Sequence, residues 1–300
     1  MRGQVFKQFE TLALDRSHWP TIKLVGPDSA DYLNRISTQK FPIDRRREDS
    51  ELIPTAFLRA NGSLVAWFLV RQMDSGFDLI VPPSFESKVL ATLDQYHFSE
   101  KVSWRAEASK GSVFEFRYQR EKPPIEMLFD CKFAFGNWKS SWQLGGASYE
   151  STLSTEQFKF ANPEEARAFY LSCGIPDPES NYKEFMAPEV SAFESLCHES
   201  KGCYPGQEVI EKVRSYGRRP NVWVPLWTSM EVVFKSYESE VCFEKGKKIG
   251  TVQDGALDTF GGTVFLARIL SSQLREKDSA PPVRCFLPGF EVEAELLQET

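Results

Sequence analysis

From Pro220 onward the chain offers only short apolar runs separated by turn residues, with no helical period. The runs are 222–227, 241–243, 248–252, 263–269 and 283–293. Evenly spaced short strands without intervening helices can bury their faces only by pairing with one another. A small closed β-barrel is therefore expected after a boundary near 216–220.

Upstream the periods alternate. Asp28 or Ser29 can cap a helix whose apolar positions Ala30, Leu33 and Ile36 recur at threes. A strand-like run at 52–58 leads into Asn61-Gly62, the strongest short hairpin signal, and 63–70 returns. A third strand at 77–81 precedes a helix that opens at Pro82-Pro83-Ser84 and runs to about residue 97, with Phe85, Val89, Leu93 and Tyr96 on one face. Strands are expected at 111–118 and 127–135. Asn162-Pro163-Glu164-Glu165 opens another helix, which Gly174 and Pro176 close. The class is α+β. The expected division is a region 1–218 of two interleaved subdomains, about 1–50 with 150–218 and 51–149, followed by the barrel at 219–300.

Lys201-Gly202-Cys203-Tyr204-Pro205-Gly206-Gln207-Glu208 packs two glycines, a proline, a cysteine and charges of both signs into one octapeptide. Such a segment must hold a specially shaped loop. The apolar spacing of Val209, Ile210 and Val213 then places a helix after Gly206, so Cys203 falls just ahead of a helix N-terminus. A thiol beside Lys201 and a helix N-terminus is expected to lose its proton more easily than a free cysteine. The competing reading is a structural cysteine in a glycine turn.

Composition narrows the class. With 41% hydrophobic and 26% charged residues among 300, the chain is long enough for two or three cored domains. Its longest apolar run, 64–70, suits a buried strand and is far too short to span a membrane. The first residues lack a secretory stretch, and six cysteines without a Cys-x-x-Cys pair indicate neither a disulfide framework nor a zinc knuckle. A reducing cytoplasm is expected. Net charge of −6 argues against coating nucleic acid by bulk electrostatics. Arg45-Arg46-Arg47, followed by acids, reads as a solvated loop, whereas Lys212, Arg214, Arg218 and Arg219 beside the octapeptide can face an anion.

The octapeptide resembles the signature of the YgfZ family, folate-binding relatives of the glycine-cleavage T-protein (aminomethyltransferase). The segments 26–39, Asn61-Gly62-Ser63-Leu64-Val65, Cys173-Gly174-Ile175-Pro176 and Gly250-Thr251-Val252 resemble that family in the same order along the chain. The resemblance implies a T-protein-like three-domain ring with a ferredoxin-like α+β unit and a C-terminal small β-barrel, binding tetrahydrofolate or a derivative. In that family a glutamate holds the pterin. Glu189 is the local match, and a carboxylate can accept two parallel hydrogen bonds from the pterin edge. Family relatives usually carry histidine before that glutamate, where this chain has Pro188. Lys201, Tyr204, Gln207, Glu208, Arg214 and Trp67 complete the expected ligand-binding set, with Cys203 as a reactive thiol.

T-proteins that transfer a methylene group resemble Gly-x-Ile-x-Asp-Asp-Leu in the second hairpin strand, whereas this chain reads Gly62-Ser63-Leu64-Val65-Ala66-Trp67-Phe68-Leu69. No Asp or Glu lies between Leu52 and Met73. Aminomethyl transfer then lacks a carboxylate to orient the nucleophilic nitrogen.

Three readings follow. The leading one, from the resemblance, is a folate-binding accessory protein that supports iron–sulfur cluster assembly or repair and, through cluster enzymes, tRNA modification, with cluster assembly proteins or cluster enzymes as partners and no enzymatic turnover required. The second is a folate-dependent aminomethyltransferase, and the third a module that binds tRNA directly, which the overall acidity opposes. His18, His97 and His198 share no helical ligand spacing, so no metal site is expected. His198 lies five residues before Cys203, a spacing that allows a base beside a nucleophile.

Overall fold

A computed structural model describes residues 11–41, 51–108, 112–119, 129–135, 138–144, 159–232, 239–243, 248–259, 261–274, 283–287 and 290–296. The arginine run at 45–47 and most of 271–282 lie outside these.

The first strands and helices are β1 (Thr11–Asp15), β2 (Thr21–Val25), α1 (Ser29–Ile36), β3 (Glu51–Leu58), β4 (Leu64–Met73), β5 (Gly76–Ile80) and α2 (Glu86–Tyr96). They continue with β6 (Ser103–Glu107), β7 (Val113–Tyr118), β8 (Phe129–Phe135), β9 (Trp138–Leu144), β10 (Lys159–Ala161), α3 (Pro163–Ser172) and α4 (Gln207–Tyr216). The remainder is β11 (Asn221–Thr228), β12 (Ser239–Phe243), β13 (Lys248–Leu257), β14 (Thr263–Leu270), β15 (Val283–Leu287) and β16 (Phe290–Leu296).

Ten strands form one sheet in the order β10-β1-β7-β9-β8-β3-β4-β5-β2-β6. It is two half-sheets joined by a short parallel pairing of Glu51 and Leu52 with Asp130 and Cys131. This differs from the division expected from sequence. β2, from the N-terminal segment, inserts between β5 and β6, while β7 to β9 fold back beside β1. Block 51–149 therefore supplies strands to both halves, because antiparallel pairing follows apolar faces and not chain order. Helices α1 and α2 bury Tyr32, Leu33, Ile36, Val89 and Leu93 on one half-sheet, and a tyrosine hydroxyl of α1, Tyr32, donates to the Leu93 carbonyl.

The α3 terminus is legible in the residues themselves. Asn162 Oδ1 accepts the Glu165 amide at 2.9 Å, and Glu165 Oε2 accepts the Asn162 amide at 2.9 Å, a reciprocal capping box with Pro163 in the first turn. Buried Ala166, Phe169 and Leu171 of α3 share a core with Leu12, Trp67 and Trp142 of the sheet, with Trp19 between β1 and β2, and with Trp223, Ala256 and Leu266 of the C-terminal strands.

Those C-terminal strands close on themselves in the order β11-β14-β13-β12-β15-β16, with Leu226 and Trp227 of β11 pairing Leu296 and Glu295 of β16. The run expected as one strand at 283–293 is two strands that pair with each other. Their interior is apolar: Leu226, Ile249, Val252, Phe265, Ala267 and Ile269.

Two buried acids fasten this unit to the sheet. Asp254 of β13 holds Arg167 of α3 and accepts the Tyr182 hydroxyl. Glu189 holds Arg268 of β14. Among the described residues no helix is long and apolar enough to cross a membrane.

Candidate functional site

The octapeptide rests on the tip of the β3–β4 hairpin. Gly206 caps α4 at φ 84°, and a Cβ there would lie 2.6 Å from the Arg59 carbonyl oxygen and 3.3 Å from Gly62 Cα. Gly62, at φ 81°, faces it: a Cβ would lie 2.8 Å from Val209 Cγ1. Two glycines thus let a turn and a helix start share one space that no side chain could enter.

Around this contact the polar residues close on the backbone. Lys201 Nζ donates to the carbonyls of Ser37 and Gln39, in the loop after α1, and lies 5.3 Å from the Tyr204 ring centroid. Burial pushes the Lys201 ammonium down to about 7. Gln207 Nε2 donates to the Lys201 carbonyl at 3.4 Å, and Arg214 donates to the Cys197 carbonyl at 2.7 Å and to Glu211 at 3.0 Å. Tyr204 is buried, whereas Glu208 is on the surface, paired with Lys212 one turn on at 2.6 Å. His198 Nδ1 accepts the Ser200 amide at 3.1 Å, so that nitrogen serves its own turn. These residues build the loop: Lys201, Gln207 and Arg214, expected to contact a ligand, hydrogen-bond main-chain carbonyls here, and Arg214 also holds Glu211.

The loop's product is an exposed thiol. Cys203 is exposed, whereas burial pushes the thiols of Cys131 and Cys173 up to about 12 and that of Cys197 to about 11. Among the described residues no cluster of His, Cys, Asp and Glu is arranged to hold a metal ion.

Glu189 requires a correction. It is 1% exposed, and both of its oxygens are engaged: Oε1 accepts from Arg268 Nη2 at 2.6 Å and Asn221 at 3.2 Å, and Oε2 from Arg268 Nε at 2.7 Å and Trp223 at 3.2 Å. A bidentate arginine already occupies the face a pterin would use, so Glu189 fastens the C-terminal unit and does not present a carboxylate to a ligand.

A cavity of about 220 Å³ opens elsewhere, between β4, α2 and the segment 176–185. Aromatic side chains of Trp67, Phe85, Tyr182 and Phe185 wall it, Asp177 and Glu184 supply acids, and Arg59, Lys88 and Lys183 supply cations. Of the ligand-binding residues expected from the resemblance, Trp67 is the one that lines it. Trp67 is 1% exposed and packs edge-on against Trp19 at 5.9 Å and Phe133 at 5.1 Å, which makes it a wall of the cavity continuous with the core. A larger cavity of about 400 Å³ lies between α4 and the C-terminal unit, lined by Glu194, Arg214, Arg219, Cys197, Ser271 and mostly apolar residues otherwise. Sequence reasoning missed Asp177, whose only local signal was an acid between Pro176 and Pro178.

Compared with solved structures, the chain superposes on the glycine cleavage system aminomethyltransferase T of Bartonella henselae with a TM-score of 0.70, covering 98% of this chain and 88% of that one at 12% identity. The chain has a T-protein-like fold. No family model matches the sequence, and a search of curated proteins finds no match. Within this fold Ala66 and Trp67 stand where the resemblance led us to expect acids, and both are buried in apolar clusters, Ala66 towards α1 and α2 and Trp67 between the half-sheets.

Proposed function

We propose that this chain binds a reduced folate without transferring an aminomethyl group, and that it acts as an accessory protein in iron–sulfur cluster assembly or repair and, through cluster enzymes, in tRNA modification. The observation that carries the reading is the pairing of a T-protein-like fold across nearly the whole chain with a buried alanine and tryptophan on β4 in place of carboxylates. The cavity suits such a ligand. At about 220 Å³ it is smaller than the roughly 300 Å³ of the smallest whole-ligand pockets, so it takes one ring system between aromatic walls. An acidic tail would then lie at the mouth, where Lys88 stands 5.1 Å from the Phe85 ring centroid. The proposed three-unit arrangement takes the two half-sheets as two units and the strands from about residue 219 as the third.

Cys203 is the proposed reactive group, delivered to solvent by a loop that the hairpin tip braces. The proposed partners are cluster assembly proteins or cluster enzymes. Direct tRNA binding draws little support from the basic residues after the octapeptide, since Lys212, Arg214 and Arg219 each hold an acid of the chain.

The purified protein is expected to bind tetrahydrofolate in calorimetry and to release no ammonia from an aminomethylated lipoyl carrier. Turnover at the rate of an authentic T-protein would establish the transferase reading instead. Alkylation of the native protein is expected to modify Cys203 well before Cys131, Cys173 and Cys197. Cys203→Ser is expected to fail to complement a deletion strain while binding folate normally; full complementation would reduce the octapeptide to a structural turn.

A further inference from the structure

We propose that Asp177 is the carboxylate that reads the ring of the bound ligand, accepting its N–H and exocyclic amino donors in the aromatic cavity. This rests on the folate reading above and gives Asp177 the task that the family resemblance implies for Glu189.

The argument begins with what the buried acids hold. Asp78, Glu115, Glu189 and Asp254 each grip an arginine, Arg71, Arg16 with Arg117, Arg268 and Arg167 respectively, and buried Asp258 accepts the Trp227 indole N–H at 2.6 Å and the Gly262 amide at 2.8 Å. Asp177 is buried to a similar degree, at 8% exposure, and among the described residues no arginine or lysine forms an ion pair with it, Arg16 and Arg167 acting on it only from a distance. Its Oδ1 accepts the Glu179 amide at 3.3 Å and its Oδ2 the Ser180 hydroxyl at 2.8 Å. Each oxygen keeps acceptor capacity, since a carboxylate offers about four lone-pair sites. Burial accordingly pushes its carboxyl above the usual aspartate range.

A buried carboxylate without a direct ion pair, on a cavity wall, is costly in the empty protein. Two parallel donors from a ligand would offset that cost in the bidentate manner of a guanidinium. The other acid at this cavity cannot serve as well. Glu184 is exposed, and its oxygens already take Arg59 at 2.9 Å and Asn61 at 3.4 Å. Tyr182 fixes the turn that carries Asp177, its hydroxyl accepting the Asp177 amide at 2.9 Å and donating to Asp254. The acid is thereby held against a rigid part of the fold, as a recognition group needs to be.

The sign of the linked stability separates recognition from structure. An acid whose folded value is raised favours its neutral form in the fold. Its ionisation therefore costs stability at pH above the raised value, and the cost disappears as pH falls to the ordinary aspartate range. Asp177→Asn should consequently melt higher than wild type at pH 7.5, with the gain shrinking towards acid pH, while losing affinity.

The test is titration of wild type, Asp177→Asn, Asp177→Glu and Glu189→Gln with 5-formyltetrahydrofolate, beside thermal melts without ligand. Asp177→Asn is expected to bind roughly ten- to hundredfold more weakly, the range for hydrogen bonds to a charged group. Asp177→Glu, which keeps the charge but moves it by one methylene, should also lose affinity. Glu189→Gln should show the reverse pattern, melting lower with affinity kept. Wild-type affinity in Asp177→Asn, or a melting temperature below wild type at pH 7.5, would overturn the assignment and leave the folate reading standing. No binding by wild type itself would remove the folate reading and this inference with it.

Discussion

Glu115→Ala is expected to destabilise the protein by about 3–5 kcal/mol, the usual cost of stripping one partner from a buried ion pair. Glu115 of β7 is fully buried between Arg16, at 3.0 Å, and Arg117, and it accepts the Tyr170 hydroxyl of α3 at 2.8 Å. Without the carboxylate, Arg16 keeps Glu179 at 2.7 Å, but the Arg117 guanidinium loses Glu115 in an apolar interior beside Phe133 and Tyr170. Urea denaturation followed by tryptophan fluorescence reports the loss, and a change below about 1 kcal/mol would mean that water reaches the cluster.

The same acid carries a pH signature. Burial alone would raise its carboxyl, but Arg117 and Arg16 hold it below the ordinary range. A depressed acid contributes stability that is fully present above the unfolded value and is lost as pH falls through the folded one. Glu115→Ala should therefore flatten the acid limb of the stability curve and leave the neutral-to-basic limb parallel to wild type.

Arg268→Met should be the next most damaging change, at about 3 kcal/mol, because it strands Glu189 in a 1% exposed position with only Asn221 and Trp223 as donors. Methionine keeps most of the aliphatic length, so the loss isolates the charge. The double variant Arg268→Met with Glu189→Leu should recover more than half of it, since neither charge is then buried alone. A double variant as unstable as the single one would show that shape and not charge makes the junction.

Local chemistry was readable in the sequence where one segment decides its own conformation. Asn162-Pro163-Glu164-Glu165 announced the start of α3, Asn61-Gly62 the β3–β4 turn, and Gly206 the start of α4. Pairing across distance was not. Nothing near Thr21 says that β2 will lie between β5 and β6, and β10 is three residues beside β1. Site residues divided in the same way. Cys203 could be placed on an exposed loop because its neighbours shape that loop. In sequence nothing near Glu189 shows its partner, because the arginine that consumes it stands 79 residues further on. Asp177 is silent in sequence because an acid becomes informative only when its partners can be counted, and that count needs the fold.

The Glu189–Arg268 junction also orders events in time. During synthesis Glu189 leaves the ribosome long before the arginine that neutralises it, and Arg167 of α3 likewise precedes Asp254 of β13 by 87 residues. The nascent large sheet must wait with the charged ends of both contacts unpaired until β13 and β14 arrive. A chain stopped at residue 218 would then be left with an open, charged face where the C-terminal unit belongs, an exposed intermediate for chaperones or proteases to capture.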